Sequence, residues 1–260
     1  MSDLKNKKRP PWRSFFMQRA SCSTLSVFGV FPGIFGIEII RINTNKVMNS
    51  RTRINFDDVA FLLIDHQSGL FQTVKDIEVQ TLRNNVIALA KTAALENIPV
   101  ITTASEPKGP NGPLMPEIHA LVPHAQYVGR TGEVNAWDTK AFVDAVKATG
   151  KKKLVIAGVL TSVCVAFPAI SAVAEGFEVF AVIDASGDMS PLSTQVTMSR
   201  LQMAGVIPIT TAAVISEVLK TWNKDQAIAY QYAQILSLVM PNYQALMESY
   251  QKAQEVALEK

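Results

Sequence analysis

Three reactive side chains follow apolar segments that have the composition of buried β-strands. Asp65 ends VAFLLID, Arg130 ends AQYVGR, and Cys164 lies in TSVCVAF shortly after KLVIAGV. A thiolate is a strong nucleophile, a carboxylate can take up the proton of a thiol, and a guanidinium keeps a nearby carboxylate ionised. If the three side chains meet, they have the groups needed for thiol-dependent covalent hydrolysis.

Each of these residues also has an ordinary structural explanation. A single cysteine near an apolar segment is more often a small core residue than a nucleophile. Asp65 in DHQSG could cap a turn, and Arg130 could form a surface ion pair. Asp184 lies in DASGD, where the turn-forming residues favour a loop anchor over a catalytic acid.

The sequence around Cys164 predicts an activated thiol. AGVLTSVCVAFPAI runs from a buried strand into a helix, with Thr161 or Ser162 as the N-cap, so that Cys164 falls in the first helical turn. Free amides and the helix dipole at that position favour an anion and lower the pKa of a thiol. Pro168 cannot donate a hydrogen bond to the carbonyl of Cys164, so the helix must bend or begin late.

Apolar segments alternate with helical patterns from Val59 onward. The predicted strands are 59–65, 98–105, 125–130, 153–159, 178–186 and 206–210, with helices near 76–96, 138–149, 162–175 and 192–204. This alternation predicts an α/β fold, a three-layer doubly wound and mostly parallel sheet. Ligands bind beyond the carboxyl ends of such strands, where the three reactive residues fall.

Composition excludes several classes of protein. The chain has 260 residues, of which 48% are hydrophobic and 18% charged, so it can build a large core. Residues 1–53 carry ten Lys or Arg and two acids, which leaves 15 of the 25 basic and 20 of the 22 acidic residues in the rest of the chain. Because that part has an acidic balance, nucleic acid is not an expected partner.

Residues 1–50 are expected to be an N-terminal appendage to a domain at 51–260. Residues 4–19 are basic and 20–40 lack Lys and Arg, an order typical of targeting segments. Pro32 and nearby glycines make this segment a weak candidate for a membrane anchor, and no membrane partner is expected for the folded domain. Met48 offers an in-frame alternative start. We expect the appendage to be disordered or a start-site artefact, with organellar or export targeting as the alternative.

Cofactors and disulfides are not expected. Cys22 and Cys164 fall in different compositional regions, which favours a reducing, cytoplasmic location. The histidines lack zinc-binding spacing, so no metal site is predicted, and DHQSG stands where a dinucleotide-binding protein has a glycine-rich motif. The mixed apolar and polar helices of 211–260 predict a helical tail that covers a neighbouring subunit, and so a homo-oligomer, a tetramer or an octamer.

From about Ile54 to the C-terminus, the sequence resembles the isochorismatase-like cysteine hydrolases, most closely their YcaC-like branch. FLLIDHQSGLF, the stretch from VGRTGEVNAWD to DASGD, and TWNKDQ carry this resemblance. It implies the doubly wound fold and a catalytic Asp, Lys and Cys at the sheet edge. Asp65 and Cys164 match the first and last, the cysteine within GVLTSVC. Arg130 stands at the lysine position, where it keeps the charge but does not readily lose a proton.

The resemblance implies further features of the site. A cis peptide bond is expected between Val159 and Leu160, and the backbone amides of Leu160 and Cys164 are expected to form an oxyanion hole. The segment TTASEPKGPNGP lacks the histidine-bearing motif of the nicotinamidases, so no catalytic metal is expected. The residues implied in substrate binding are Gln67, Leu70, Asn135 and Trp137, although a tryptophan is more often a packing residue.

The sequence therefore predicts a thiol-dependent hydrolase of a small amide or related carbonyl compound, acting through a thioester. Its partner is a small-molecule substrate, and the loop at 106–117 is expected to frame the entrance to the site. Two alternatives stay open. One is an isochorismatase-type vinyl ether hydrolase, which does not require the thiol, and the other is a non-catalytic, oligomeric, stress-associated scaffold.

Overall fold

A six-stranded parallel sheet organises the protein. The computed structural model describes residues 52–54 and 56–258, which belong to one compact unit, Thr52–Lys260; the predictions for residues 1–50 lie outside the described residues. The strand order is β3-β2-β1-β4-β5-β6, with every pairing parallel, which confirms the predicted doubly wound fold. The strands are β1 (Val59–Ile64), β2 (Val100–Ser105), β3 (Gln126–Arg130), β4 (Lys153–Gly158), β5 (Glu178–Val182) and β6 (Ile207–Ile209).

Helices cover both faces of the sheet. The helices are α1 (Ser68–Phe71), α2 (Val79–Leu95), α3 (Pro116–Leu121), α4 (Lys140–Ala148), α5 (Ala166–Ala174), α6 (Pro191–Met203), α7 (Thr211–Leu219), α8 (Gln226–Ser237) and α9 (Tyr243–Leu258). The hydrophobic core on one face includes residues of α2, α3, α7 and α8, and the core on the other face includes residues of α4, α5 and α6.

β1 explains why the strand segments are continuously apolar. All six of its residues are buried. Because side chains alternate across a strand, Phe61 and Leu63 enter one core while Leu62 and Ile64 enter the other. The strand therefore has no solvent-facing side that would accept polar residues, and the first polar residue after it is Asp65 at the carboxyl edge.

The predicted end of the fifth strand is wrong. β5 ends at Val182, and Ile183–Ala185 form a turn of 3₁₀ helix. Asp184 in this turn accepts hydrogen bonds from the backbone N–H and the hydroxyl of Thr211, at 2.7 and 2.8 Å, and so anchors the start of α7. The loop-anchor interpretation of Asp184 agrees with these contacts.

The helix predicted for 162–175 divides into two parts. Thr161–Val165 form a π-helical turn, and α5 begins at Ala166. Pro168 lies in the first turn of α5, where its missing N–H leaves no intrahelical bond unmade. The predicted late start of this helix is therefore confirmed, and Cys164 lies before α5 rather than within it.

Candidate active site

Asp65 is the first residue beyond β1 and is completely buried. Its φ of 56° lies in the left-handed region, which aspartate tolerates better than most residues. The carboxylate oxygen Oδ1 accepts a hydrogen bond from the backbone N–H of Ser105, at 3.2 Å. A Cβ atom on Gly158 would overlap the carbonyl oxygen of Ile64, so the glycine lets β4 approach β1 at this edge.

Arg130 reaches Asp65 across β2. It is the last residue of β3, and its Nε donates to the hydroxyl of Thr103 on β2, at 3.1 Å. Its Nη2 then donates to Oδ1 of Asp65, forming an ion pair in which both side chains are fully buried. Its Nη1 donates to the carbonyl of Glu133, at 2.6 Å. A lysine ammonium lacks the planar fork that makes these three contacts in different directions.

Cys164 faces the same carboxylate from the π-helical turn after β4. The residue is partly exposed, and the negative charge of Asp65 acts on its thiol, while Oδ2 of Asp65 has no hydrogen-bond partner among the described residues. The backbone of Leu160 is close enough to the sulfur to lower the pKa of the thiol. The peptide bond between Val159 and Leu160 is cis. The structure thus brings Asp65, Arg130 and Cys164 together at the carboxyl edge of the sheet.

The predicted lowering of the Cys164 pKa is wrong. Burial is the largest effect and raises the pKa of the thiol, and the negative charge of Asp65 raises it further. The Leu160 amide and the charge of Arg130 lower it by less. Neither Thr161 nor Ser162 is the N-cap, since the turn begins after Leu160 and has no side-chain cap. The thiol therefore stays protonated at neutral pH and needs a base to become a nucleophile.

His66 is a buried neighbour of Asp65 to which the sequence assigned no function. Its Nε2 lies 3.0 Å from the carbonyl oxygen of Ala185, and Nδ1 has no hydrogen-bond partner among the described residues. Burial lowers the pKa of this imidazole to about 4, although the Ala185 carbonyl and the charge of Asp65 act in the opposite direction. His66 is therefore neutral at physiological pH and ties the turn after β1 to the loop after β5.

Gln67, predicted to bind substrate, holds the loop at 106–117. The side chain is fully buried, and its Nε2 donates to the carbonyls of Ser105 and Gly112, at 3.1 and 2.5 Å. Its Oε1 accepts from the N–H of Ser105, at 3.1 Å. These bonds engage both the nitrogen and the oxygen of the side-chain amide. Leu70, on α1, is partly buried and packs against the core.

Asn135 and Trp137 also have structural partners. Asn135 accepts a hydrogen bond from the N–H of Trp137, at 3.1 Å, and donates one to the hydroxyl of Ser171, at 3.2 Å. The Trp137 indole is 8% exposed, packs edge-on against Phe142, and donates from Nε1 to Glu175 at 2.7 Å. The side chains of Gln67 and Trp137 are buried, and the substrate contacts predicted for them stay predictions. Asn135 and Leu70 are partly exposed.

Across residues 52–54 and 56–258, no group of three or more His, Cys, Asp or Glu side chains is arranged to hold a metal ion. Within the same residues, no helix combines the length and apolarity needed to cross a bilayer.

Comparison with known proteins assigns the chain to a family. Residues 59–213 match the isochorismatase domain. The chain is 48% identical to the probable hydrolase YcaC of Escherichia coli over 198 residues, which cover 76% of this chain and 94% of YcaC. The chain belongs to the isochorismatase family, in its YcaC-like branch. The family resemblance drawn from the sequence is confirmed.

Solved structures agree with the assignment of this chain to the YcaC-like branch. The crystal structure of E. coli YcaC, an octameric hydrolase of unknown specificity, matches with a TM-score of 0.74 and 47% identity, covering 77% of this chain and 97% of that one. YcaC of Pseudomonas aeruginosa, in a structure with hexane-2,5-diol and covalent acrylamide, matches with a TM-score of 0.72 and 44% identity, covering 76% and 96%.

The substitution Asp65→Asn tests the electrostatics of the thiol. It removes the negative charge that raises the Cys164 pKa, so we expect iodoacetamide to alkylate Cys164 faster at pH 8, by up to about tenfold for each pKa unit removed. The rate is measured by mass spectrometry of the peptide that contains Cys164. The control Asp184→Asn changes a carboxylate at the same edge that bonds Thr211 and should leave the rate unchanged. Unchanged or slower alkylation of Asp65→Asn would contradict this account.

Proposed function

We propose that this YcaC-like hydrolase cleaves the C–N bond of a small amide or related carbonyl compound through a thioester on Cys164. One arrangement carries the proposal: the thiol of Cys164 lies beside the buried carboxylate of Asp65, which forms an ion pair with the buried guanidinium of Arg130. The thiol has a proton to give, the carboxylate can receive it, and the guanidinium holds the carboxylate in place.

The first half-reaction forms the thioester. Asp65 takes the proton from the Cys164 sulfur, and the thiolate attacks the carbonyl carbon of the substrate, whose oxygen becomes an oxyanion. In this proposal the backbone amides of Leu160 and Cys164 donate hydrogen bonds to that oxyanion; the Leu160 backbone is close enough to the sulfur to lower the pKa of the thiol, which supports the place of the first amide. The C–N bond then breaks, and protonated Asp65 returns the proton to the leaving amine.

The second half-reaction releases the acid. Water enters in place of the amine, and Asp65 accepts one of its protons as the oxygen attacks the thioester carbon. The C–S bond breaks, the carboxylic acid leaves, and the proton held by Asp65 returns to the sulfur. The sum is one amide and one water converted to one acid and one amine. Arg130 moves no proton in this scheme, consistent with a guanidinium, and acts through its charge and its bond to Asp65.

A solved structure of a relative supports a thiol mechanism. The P. aeruginosa relative carries covalent acrylamide, which is an amide and also a thiol-reactive alkene. Leu70 and Asn135 retain partial exposure, so we assign them substrate contacts, while Gln67 and Trp137 hold the surrounding loops. A free cysteine favours a reducing compartment, so we propose that the enzyme is cytoplasmic.

The helical tail supports assembly into a homo-oligomer, which we propose to be a tetramer or an octamer, like the octameric E. coli relative. Several large apolar side chains on and beside α8 and α9 are exposed, among them Trp222 at 49%, Leu246 at 59% and Tyr250 at 60%. They line a groove of about 1230 Å³. Exposed apolar surface of this kind favours contact with another subunit.

An activity screen with Cys164→Ala tests the reaction. We expect the wild-type protein to hydrolyse at least one member of a panel of small amides, followed as released amine, and Cys164→Ala to lose at least about 10³-fold in kcat because no thioester forms. Cys164→Ser, which replaces the thiol by a hydroxyl, is the size-matched control and should also be inactive. Full activity of Cys164→Ala on an amide or a vinyl ether would exclude the covalent route. Hydrolysis of no compound by the wild type would favour the scaffold.

The substitution Leu246→Glu tests the assembly. A charge in the groove should shift the oligomer toward smaller species, measured as mass by size-exclusion chromatography with light scattering. Val134→Glu is the matched control, since Val134 is also 59% exposed but lies outside the groove. An unchanged mass for Leu246→Glu would argue against a subunit contact at this groove.

A further inference from the structure

The loop between β5 and α6 holds a buried carboxylate that the hydrolysis scheme does not use. Asp188 is completely buried, and among the described residues it forms no ion pair with a lysine or arginine. Burying a carboxylate without a cation is costly unless hydrogen-bond donors surround it. The donors around Asp188 therefore indicate what the residue does.

Asp188 binds the start of the π-helical turn that carries Cys164. Its Oδ2 accepts from the backbone N–H of Ser162, at 2.8 Å, and its Oδ1 accepts from the Ser162 hydroxyl, at 3.1 Å. The backbone N–H of Met189 also donates to Oδ1, at 2.8 Å. Next to it, the carbonyl of Gly187 accepts from the N–H of Thr161, at 2.8 Å. The first two residues of the turn are thus tied to 187–188, and the nucleophile follows two residues later.

The backbone of Asp188 is itself fixed by its neighbours. The backbone N–H of Asp188 donates to Oδ1 of Asp76, at 2.7 Å, and the hydroxyl of Thr194 on α6 donates to Oδ2 of Asp76, at 2.5 Å. The carbonyl of Asp188 accepts from the N–H of Lys75, at 2.8 Å. Asp188 therefore has little freedom to move, and neither does the π-helical turn whose Ser162 it binds.

We propose that Asp188 is a positioning residue for the nucleophile, and that its carboxylate fixes the turn that presents the Cys164 sulfur and the Leu160 amide to the substrate. This inference rests on the proposed function of Cys164. A helical segment leaves the amides of its first residues without intrahelical partners. A carboxylate satisfies three donors at this point, whereas an asparagine offers one acceptor oxygen and two donor hydrogens.

Asp184 provides a matched comparison within the same chain. It accepts the backbone N–H and the hydroxyl of one residue, Thr211, as Asp188 does for Ser162. Asp184, however, anchors α7, which carries no reacting group. Loss of either carboxylate removes a similar set of hydrogen bonds, but loss of Asp188 alone should disturb Cys164.

The test compares full-length Asp188→Ala, Asp188→Asn and Ser162→Ala with Asp184→Ala. With an amide hydrolysed by the wild type, we expect Asp188→Ala to lower kcat by about 10- to 100-fold, since a displacement of about 1 Å at a reacting group costs rate on that scale. KM should change by less than about threefold. Ser162→Ala removes a single bond and should lower kcat less. Asp184→Ala should keep kcat within about twofold of the wild type.

Hydrogen–deuterium exchange provides a readout that does not need turnover. In Asp188→Ala, amides in the peptide covering 160–166 should exchange at least about tenfold faster, whereas Asp184→Ala should accelerate exchange near Thr211 and leave 160–166 unchanged. If Asp188→Ala does not fold, Asp188→Asn and Ser162→Ala carry the same comparison.

Two results would overturn the inference. One is unchanged exchange at 160–166 in the Asp188 variants. The other is an equal loss of kcat in Asp188→Ala and Asp184→Ala, which indicates a general effect on the fold. Failure of the proposed function looks different, because activity would then survive in Cys164→Ala while the exchange of 160–166 still responds to Asp188.

Discussion

The buried ion pair between Asp65 and Arg130 is the interaction on which the rest of the site depends. Both side chains are inaccessible to solvent, so removal of either partner leaves an uncompensated charge in the interior, a change that costs about 3–5 kcal/mol. The strand order makes the pair feasible, because β3 lies two strands from β1 and the long arginine side chain spans β2 between them. The hydroxyl of Thr103 on β2 accepts a hydrogen bond from the guanidinium between the two strands.

The same carboxylate determines the state of the thiol. The carboxylate of Asp65 adds to the desolvation that raises the pKa of the Cys164 thiol and keeps the sulfur protonated. In the proposed mechanism, the same carboxylate accepts the thiol proton once a substrate carbonyl is in place. The resting protein therefore avoids a permanently reactive thiolate, which would be open to oxidation.

Much of this site could be predicted from the sequence because it follows from the alternation of strands and helices. The rule that parallel strands end at one edge brings Asp65, Arg130 and Cys164 together without knowledge of their contacts. The direction of the thiol pKa shift could not be predicted in the same way. It depends on how much water reaches the sulfur and on the π-helical turn, and neither leaves a local signature in TSVCVAF.

Hydrogen bonds between side chains and residues distant in the sequence could also not be predicted. The sequence does not show that Gln67 forms hydrogen bonds with Ser105 and Gly112. It also does not show that the Trp137 indole donates a hydrogen bond to Glu175. Asp188 lies in DASGD, a segment of turn formers, and its partner Ser162 is 26 residues earlier in the chain. Burial and pairing decide the function of such polar residues, and both are properties of the folded chain.

A double-mutant cycle on Asp65 and Arg130 tests the central claim most directly. The free energy of unfolding is measured by urea denaturation at pH 7 for the wild type, Asp65→Asn, Arg130→Met and the double variant. A buried, mutually dependent pair predicts a coupling energy of at least about 1 kcal/mol, with the double variant less destabilised than the sum of the single variants. Additivity within about 0.5 kcal/mol would mean that the two residues act independently and would contradict the account.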